Sequence, residues 1–281
     1  VENVTTINIT GLDFTPNTDL ERFVNNADAL TTFTGISGLV TTNNVDAQSC
    51  FNGLKVYDWS NENLRDDKFN VNFGSTTNMN SMFSNVGFTT PTAPPNIASL
   101  DTSAVTSMNQ CFNSSKFTST LDLSGWDMSA NTTLYRFLYN NDGITSIDAS
   151  SWAFTNALTT MKEMIRGSEV TDITFGSSSD FSGITDFQNF SLGCSSLTSI
   201  DFPTNADFSA VTIMTSFMGS TETNMSTAEY DNFLTRFGAT NTNDGMSLGF
   251  GQVKYSPSLA ATRTAIINQG TGNTIIDGGP A

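Results

Sequence analysis

No histidine occurs in this chain of 281 residues. That removes the commonest general base, the commonest metal ligand and every Ser-His or Cys-His nucleophile pair. Basic residues are scarce: 11 Lys and Arg stand against 27 Asp and Glu, a formal net charge of -16. Phosphate backbones are held by clustered Lys and Arg, so the balance argues against nucleic acid as a partner. It also favours solubility and discourages adhesion to anionic membranes. No run reaches the ~20 apolar residues that span a bilayer, so membrane insertion is not expected. No glycine-rich loop has phosphate-binding spacing. Cysteine is limited to 3 residues, too few for a disulfide framework.

What the chain has instead is a unit that returns every 26 residues or so. The segment from Leu121, LDLSGWDMSANTTLYRFL, recurs from Ile147 as IDASSWAFTNALTTMKEMI and from Ile200 as IDFPTNADFSAVTIMTSFM. A period of roughly 20–50 residues is the signature of a solenoid, whose units bury their apolar faces only by stacking. One apolar column runs Ala47, Met79, Met108, Leu134, Met161, Phe187, Met214. Three and four residues further on come Cys50, Met82, Cys111, Phe137, Met164, Phe190, Phe217 and Phe51, Phe83, Phe112, Leu138, Ile165, Ser191, Met218. The i, i+3, i+4 spacing predicts one face of a short helix or 3₁₀ turn. A short strand follows, with alternating Leu121/Leu123, Ile147/Ala149, Ile173/Phe175 and Ile200/Phe202 turned inward. A third column, Leu39, Phe73, Leu100, Trp126, Trp152, Phe181, Phe208, completes the unit. Cys50 and Cys111 sit in one column two units apart, about 9.6 Å at ~4.8 Å per strand, beyond the ~7 Å reach of a disulfide. All three cysteines therefore read as small, reduced core residues.

This pattern resembles the BspA-like bacterial surface leucine-rich repeats, most closely in LDTSAVTSMNQCF (Leu100 to Phe112) and GCSSLTSIDF (Gly193 to Phe202). The resemblance covers roughly 30–220. Two insertions, around Asn61 to Asn70 and at TTPTAPP (Thr89 to Pro95), lengthen their units. The expected architecture is an α/β leucine-rich-repeat-type solenoid of about seven repeats over 30–221. It has a parallel sheet, an N-terminal cap over 1–29 and an α/β capping unit over 222–281.

In the first cap, VTTINIT reads as a strand and PNTDLERFVNNADAL as a helix capped near Asn17 or Thr18. In the last, Ser226 and Glu229 form a capping box, and Gly238 is expected to stop that helix. MSLGF reads as a strand, Ser256-Pro257 starts a second helix, and NTIIDGG closes as a strand. The pattern Tyr230-Asp231, Lys254-Tyr255-Ser256, Ala260 to Arg263 and Ile275 to Gly279 resembles a recurring C-terminal unit of bacterial and phage surface proteins. The chain begins at Val1 rather than Met, which reads as a processed form or an excised domain.

Paired carboxylates are the remaining catalytic option, and Asp66-Asp67 reads as a solvated loop. Beside the inward strand residues, an outward row carries Thr120, Asp122, Ser146, Asp148, Asp172, Thr174, Ser199 and Asp201. Its hydroxyls and carboxylates could hydrogen-bond a sugar or together hold Ca²⁺, with no calcium motif behind it; equally, they could keep a strand face soluble. No other cofactor is indicated. Aromatics outside the core columns are Tyr57, Trp59, Tyr135, Tyr139 and Phe88. Trp59 reads either as a partner contact or as a displaced member of the Trp126/Trp152 column. The resemblances imply a non-enzymatic surface-recognition or structural protein that binds a cell-surface glycan or protein. A phage virion component (tail fibre, receptor-binding or capsid decoration, meeting other virion proteins) is the first setting, and a secreted or bacterial cell-surface adhesin the second. A carbohydrate-degrading tail enzyme is a remote third. The oligomeric state stays open.

Overall fold

The computed structural model describes residues 3–14, 19–35, 46–59, 74–88, 97–117, 121–219 and 224–281. Thr6–Asn8 (β1) and Thr32–Thr34 (β2) pair in parallel, with Ile7 opposite Phe33. Ser146–Ala149 (β3), Asp172–Phe175 (β4) and Ser199–Asp201 (β5) form a parallel sheet in which Ile147, Ile173 and Ile200 stand in one register. Met214–Met218 (β6), Ser247–Phe250 (β7) and Thr274–Ile276 (β8) make a third parallel sheet in that order. Period-two alternation explains the middle sheet: Ile147, Ala149, Ile173, Phe175 and Ile200 are buried, while Asp148 and Asp201 face outward.

A second ladder runs beside these sheets. Single parallel bridges link Asp19, Asp46, Asn78, Ser107, Thr133, Thr160, Asp186 and Ile213 in succession. The segment after each bridge carries the i, i+3, i+4 column, and its expected helical form is not what the chain adopts. Arg136 and Asn140 have φ of 54° and 51°, outside any right-handed helix. The N–H groups of Leu134, Arg136, Leu138 and Asn140 cross to Thr160, Lys162, Met164 and Arg166 of the next unit at 2.8–3.1 Å. Those of Phe137 and Tyr139 close three-residue-back turns onto Leu134 and Arg136, each at 3.2 Å. Each segment is thus half strand ladder and half turn, and Leu134, Phe137 and Leu138 still point inward. A left-handed residue costs about 1–2 kcal/mol; the inter-unit hydrogen bonds hold it in place.

Residues 19–26 repeat this arrangement, so the helix expected over Pro16 to Leu30 is absent from the described part of that segment; Pro16, Asn17 and Thr18 lie outside the described residues. Leu20, Arg22, Val24 and Asn26 donate to Asp46, Gln48, Cys50 and Asn52, and Arg22 and Asn26 have φ of 57° and 56°. The expected boundary at 29/30 therefore has the same ladder on both sides. The insertions Asn61 to Asn70 and Thr89 to Pro95, Asp66-Asp67, Leu39 and Phe73 also lie outside the described residues.

Threonine forms a third set of rungs. Both the N–H and the hydroxyl of Thr106, Thr132, Thr159, Thr185 and Thr212 donate to the carbonyl of the equivalent threonine one unit back, starting at Thr77, over 2.8–3.4 Å. Inside, rings stack along the axis: Phe51 on Phe83 at 5.8 Å and Phe83 on Phe112 at 5.5 Å, with Trp126 tilted against Phe112 at 5.6 Å. Cys50, Cys111 and Cys194 are buried and form no disulfide, Cys50 and Cys111 as their column requires.

At the C-terminal end the helix Thr227–Thr240 is capped by Ser226, whose hydroxyl accepts from the Glu229 N–H at 3.2 Å. The Ser226 N–H goes to the Thr198 carbonyl at 3.3 Å. Gly238 does not end this helix. It lies within it, where an added Cβ would stand 3.1 Å from Thr262 and 3.3 Å from Ile266 of the following helix, Ala260–Ile267. The glycine brings the two helices together. Arg263 grips Asp277 with Nε–Oδ2 2.7 Å and Nη2–Oδ1 3.1 Å, and the Tyr230 hydroxyl donates to the same carboxylate at 2.9 Å. Residues of the C-terminal sequence pattern thus meet as one internal clasp.

Candidate functional site on the turn face

The strand face carries the outward row. Ser146 lies beside Asp172 and Asp172 beside Ser199; Asp148 lies beside Thr174 and Thr174 beside Asp201. The sheet register therefore assembles six of the eight named residues. Asp122 is exposed one unit earlier, and Thr120 lies outside the described residues. Asp122 and Asp148 of this row are engaged within their own units. Asp122 Oδ1 accepts the Ser124 N–H at 3.0 Å and hydroxyl at 2.7 Å, and Asp148 Oδ1 accepts the Ser150 N–H at 2.9 Å. Those serine hydrogen bonds hold both carboxyls below the usual range. Among the described residues, no group of three or more His, Cys, Asp or Glu is placed to hold a metal ion.

Trp59 is not a surface contact. It is 0% exposed, edge-on to Tyr57 at 4.9 Å and to Phe51 at 5.8 Å. An apolar ring beside Phe51 and Phe83 gains more from the core than from water.

The turn face is built on two columns of left-handed residues. The first is Arg22, Ser49, Ser81, Gln110, Arg136, Glu163, Asn189 and Ser216, with φ between 52° and 57°. The second is Asn26, Gly53, Asn85, Ser114, Asn140, Gly167 and Gly193. Because equivalent backbones stack, side chains one period apart meet. Glu163, 4% exposed, receives Arg136 Nε at 2.5 Å, Arg166 Nη1 at 3.1 Å and Asn189 Nδ2 at 3.3 Å. Burial alone would raise its pKa; the hydrogen bonds from Arg136 and Asn189 and the two guanidinium charges outweigh it and leave it lowered. The Arg136 guanidinium lies over Tyr135 at 5.0 Å and Tyr139 at 4.7 Å, and Arg166 over Tyr139 at 5.7 Å. Two of the scattered cations are thus brought into one cluster. Sequence reading missed it, although the offsets 136, 163 and 189 match the period.

Next to this cluster an open groove of about 430 Å³ follows the second column. Asn85, Ser114 and Asn140 line it, with Gly167 at one end and Phe88, Lys116 and Asp142 beside them. Gly167 has φ +70°, and a Cβ there would fall 2.3 Å from Asn140 Oδ1. Phe88 is 46% exposed, the one aromatic among the large exposed apolar side chains of the described residues. Its backbone is fixed by the N–H donating to the Lys55 carbonyl at 2.9 Å. The Lys116 ammonium stands 5.9 Å from its ring centre and pairs with Asp142.

No curated protein and no solved structure matches the chain. One family model matches twice, over residues 46–177 and 77–208. The two spans start 31 residues apart, about one unit, so the model itself covers several units and slides along the stack. Together they cover 46–208, more than half of the 281 residues, and the chain belongs to the family described as Mycoplasma protein of unknown function, DUF285.

Proposed function

We propose that this chain is a non-enzymatic surface-recognition protein, a leucine-rich-repeat-type solenoid that displays its turn face to a partner outside the cell. The observation that carries this reading is the groove and the Arg136–Glu163–Arg166 cluster with its tyrosines. In the cluster the side chains differ from unit to unit, and in the groove Phe88, Lys116 and Asp142 stand beside a column that stays Asn, Ser or Gly; both are held on one repeating backbone. A uniform ladder that fixes varied polar and aromatic groups is suited to binding, because little ordering is left to the moment of contact. The lack of histidine and the carboxylates engaged in their own turns speak against acid–base turnover.

The family's description names a bacterium, which favours a bacterial surface adhesin as the setting. The virion reading keeps one support, the C-terminal pattern that closes through Tyr230, Arg263 and Asp277. Immunogold labelling of the native source with an antibody to this chain tests the proposal. Label on the outside of bacterial cells is the expected result, and label on virus particles would favour the virion setting. Label confined to the cell interior would contradict both.

A further inference from the structure

We infer that the groove beside Phe88 is a binding site for a neutral saccharide, an assignment that rests on the surface-recognition reading. A pyranose has one apolar face of C–H groups and a rim of hydroxyls. It is held by an aromatic ring on one side and by amides and hydroxyls that both donate and accept on the other. The groove supplies the exposed Phe88 ring, the Asn140 amide, and the Asn85 carbonyl and Ser114 hydroxyl oxygens as acceptors, the Asn85 and Ser114 side-chain hydrogens being donated within the protein. Its volume of about 430 Å³ lies in the range of small-molecule sites.

The groups are fixed before any ligand arrives. Asn85 Nδ2 bonds Ser84 Oγ at 3.0 Å and Asn52 Oδ1 at 3.4 Å, and Ser114 Oγ bonds Asn113 Oδ1 at 3.2 Å. The Asn85, Ser114 and Asn140 N–H groups are each bonded to the next unit at 2.8–2.9 Å. Asn140 has its side-chain position because Gly167 lacks a Cβ. Charge then selects among saccharides. Lys116 and Asp142 neutralise each other at the rim, and the chain as a whole carries -16, so an acidic sugar gains nothing at the rim and is repelled at longer range.

The test is saturation-transfer NMR on the full chain with methyl α-mannopyranoside, methyl β-galactopyranoside, methyl β-N-acetylglucosaminide and, as the acidic probe, N-acetylneuraminic acid. Transfer to at least one neutral glycoside and none to the acidic sugar is expected. Phe88→Ala should weaken that binding roughly ten-fold, and Phe88→Tyr should restore it. Phe88 is exposed, so the fold should be untouched, which circular dichroism verifies. No transfer to any neutral glycoside, or transfer unchanged in Phe88→Ala, overturns the assignment. Immunogold labelling of the native source separates the two levels. Label on the outside of cells or on virus particles without saccharide binding defeats the groove assignment alone, whereas label confined to the cell interior defeats the recognition reading as well.

Discussion

On the strand face, β3, β4 and β5 set Asp148, Thr174 and Asp201 in one register, and Asp148, like Asp122 one unit earlier, caps its own following turn. On the turn face the equivalent positions are Gln110, Arg136, Glu163 and Asn189, four different side chains on four matching backbones. The first surface repeats the same local hydrogen bond at Asp101, Asp122 and Asp148, while at Thr174 the Gly176 N–H goes to the Ala149 carbonyl at 3.3 Å and Asp201 precedes Pro203, which has no N–H to give. The second varies although each unit needs the same left-handed residue. Repetition there is a demand of the fold, and departure from repetition marks where a function has room. Threonine makes the same point from the other side: Thr106, Thr132, Thr159, Thr185 and Thr212 recur because each hydroxyl doubles a backbone rung.

The largest effect should come from a residue that serves both faces. Trp126 is buried against Phe112 and Phe137 and donates Nε1–H to the Ile97 carbonyl at 2.8 Å. Trp126→Ala should cost about 3–5 kcal/mol, read as a lower urea midpoint. Hydrogen exchange should show protection falling on both faces; loss on one face alone would mean that the two are separable. Gly167→Ala acts on the turn face only. It combines a φ of +70° with a collision at Asn140 Oδ1, and should cost about 2 kcal/mol and close the groove.

Glu163→Gln comes next, at about 1–2 kcal/mol, because two guanidinium groups lose their shared carboxylate while each keeps some contact with water. The sign of its pH dependence follows from the lowered pKa. The wild-type contribution is complete above the usual glutamic acid value of ~4.3 and is lost as pH falls through the lower folded value. Urea midpoints from pH ~5 to ~2 should therefore fall less steeply in the variant than in the wild type. Asp148→Asn should change stability by less than ~0.5 kcal/mol, since an exposed amide oxygen can accept the same Ser150 N–H. A loss above ~1 kcal/mol in the same urea titration would give the strand-face carboxylate a larger part than capping.

Much of the strand side was legible from residues alone. Alternation at Ile147, Ile173 and Ile200 implied the register that the sheet adopts, because a buried face allows no slip by one residue. The inward columns were legible too. The turn side was not, because i, i+3, i+4 spacing is shared by a helix and by successive turns with left-handed residues. The distinguishing signal was composition at fixed places: Asn26, Gly53, Asn85, Ser114, Asn140, Gly167 and Gly193 are residues that accept positive φ at low cost or form local turns. Arg22, Arg136 and Glu163 carry no such mark, which is why Leu20 to Asn26 read as a helix. Trp59 misled for another reason: its neighbour in sequence is a long insertion, but its neighbours in space are Phe51, Tyr57 and Phe83. The groove could not be read from sequence, since Phe88, Lys116 and Asp142 come from three successive units with unequal spacing.

The central claim is that recognition belongs to the turn face. Its most direct test compares saturation transfer to the neutral methyl glycosides by the wild type, by Phe88→Ala with Lys116→Ala, and by Asp148→Asn with Asp201→Asn. Loss in the turn-face pair with retention in the strand-face pair is the predicted result. Loss in the strand-face pair with retention in the turn-face pair would contradict the account.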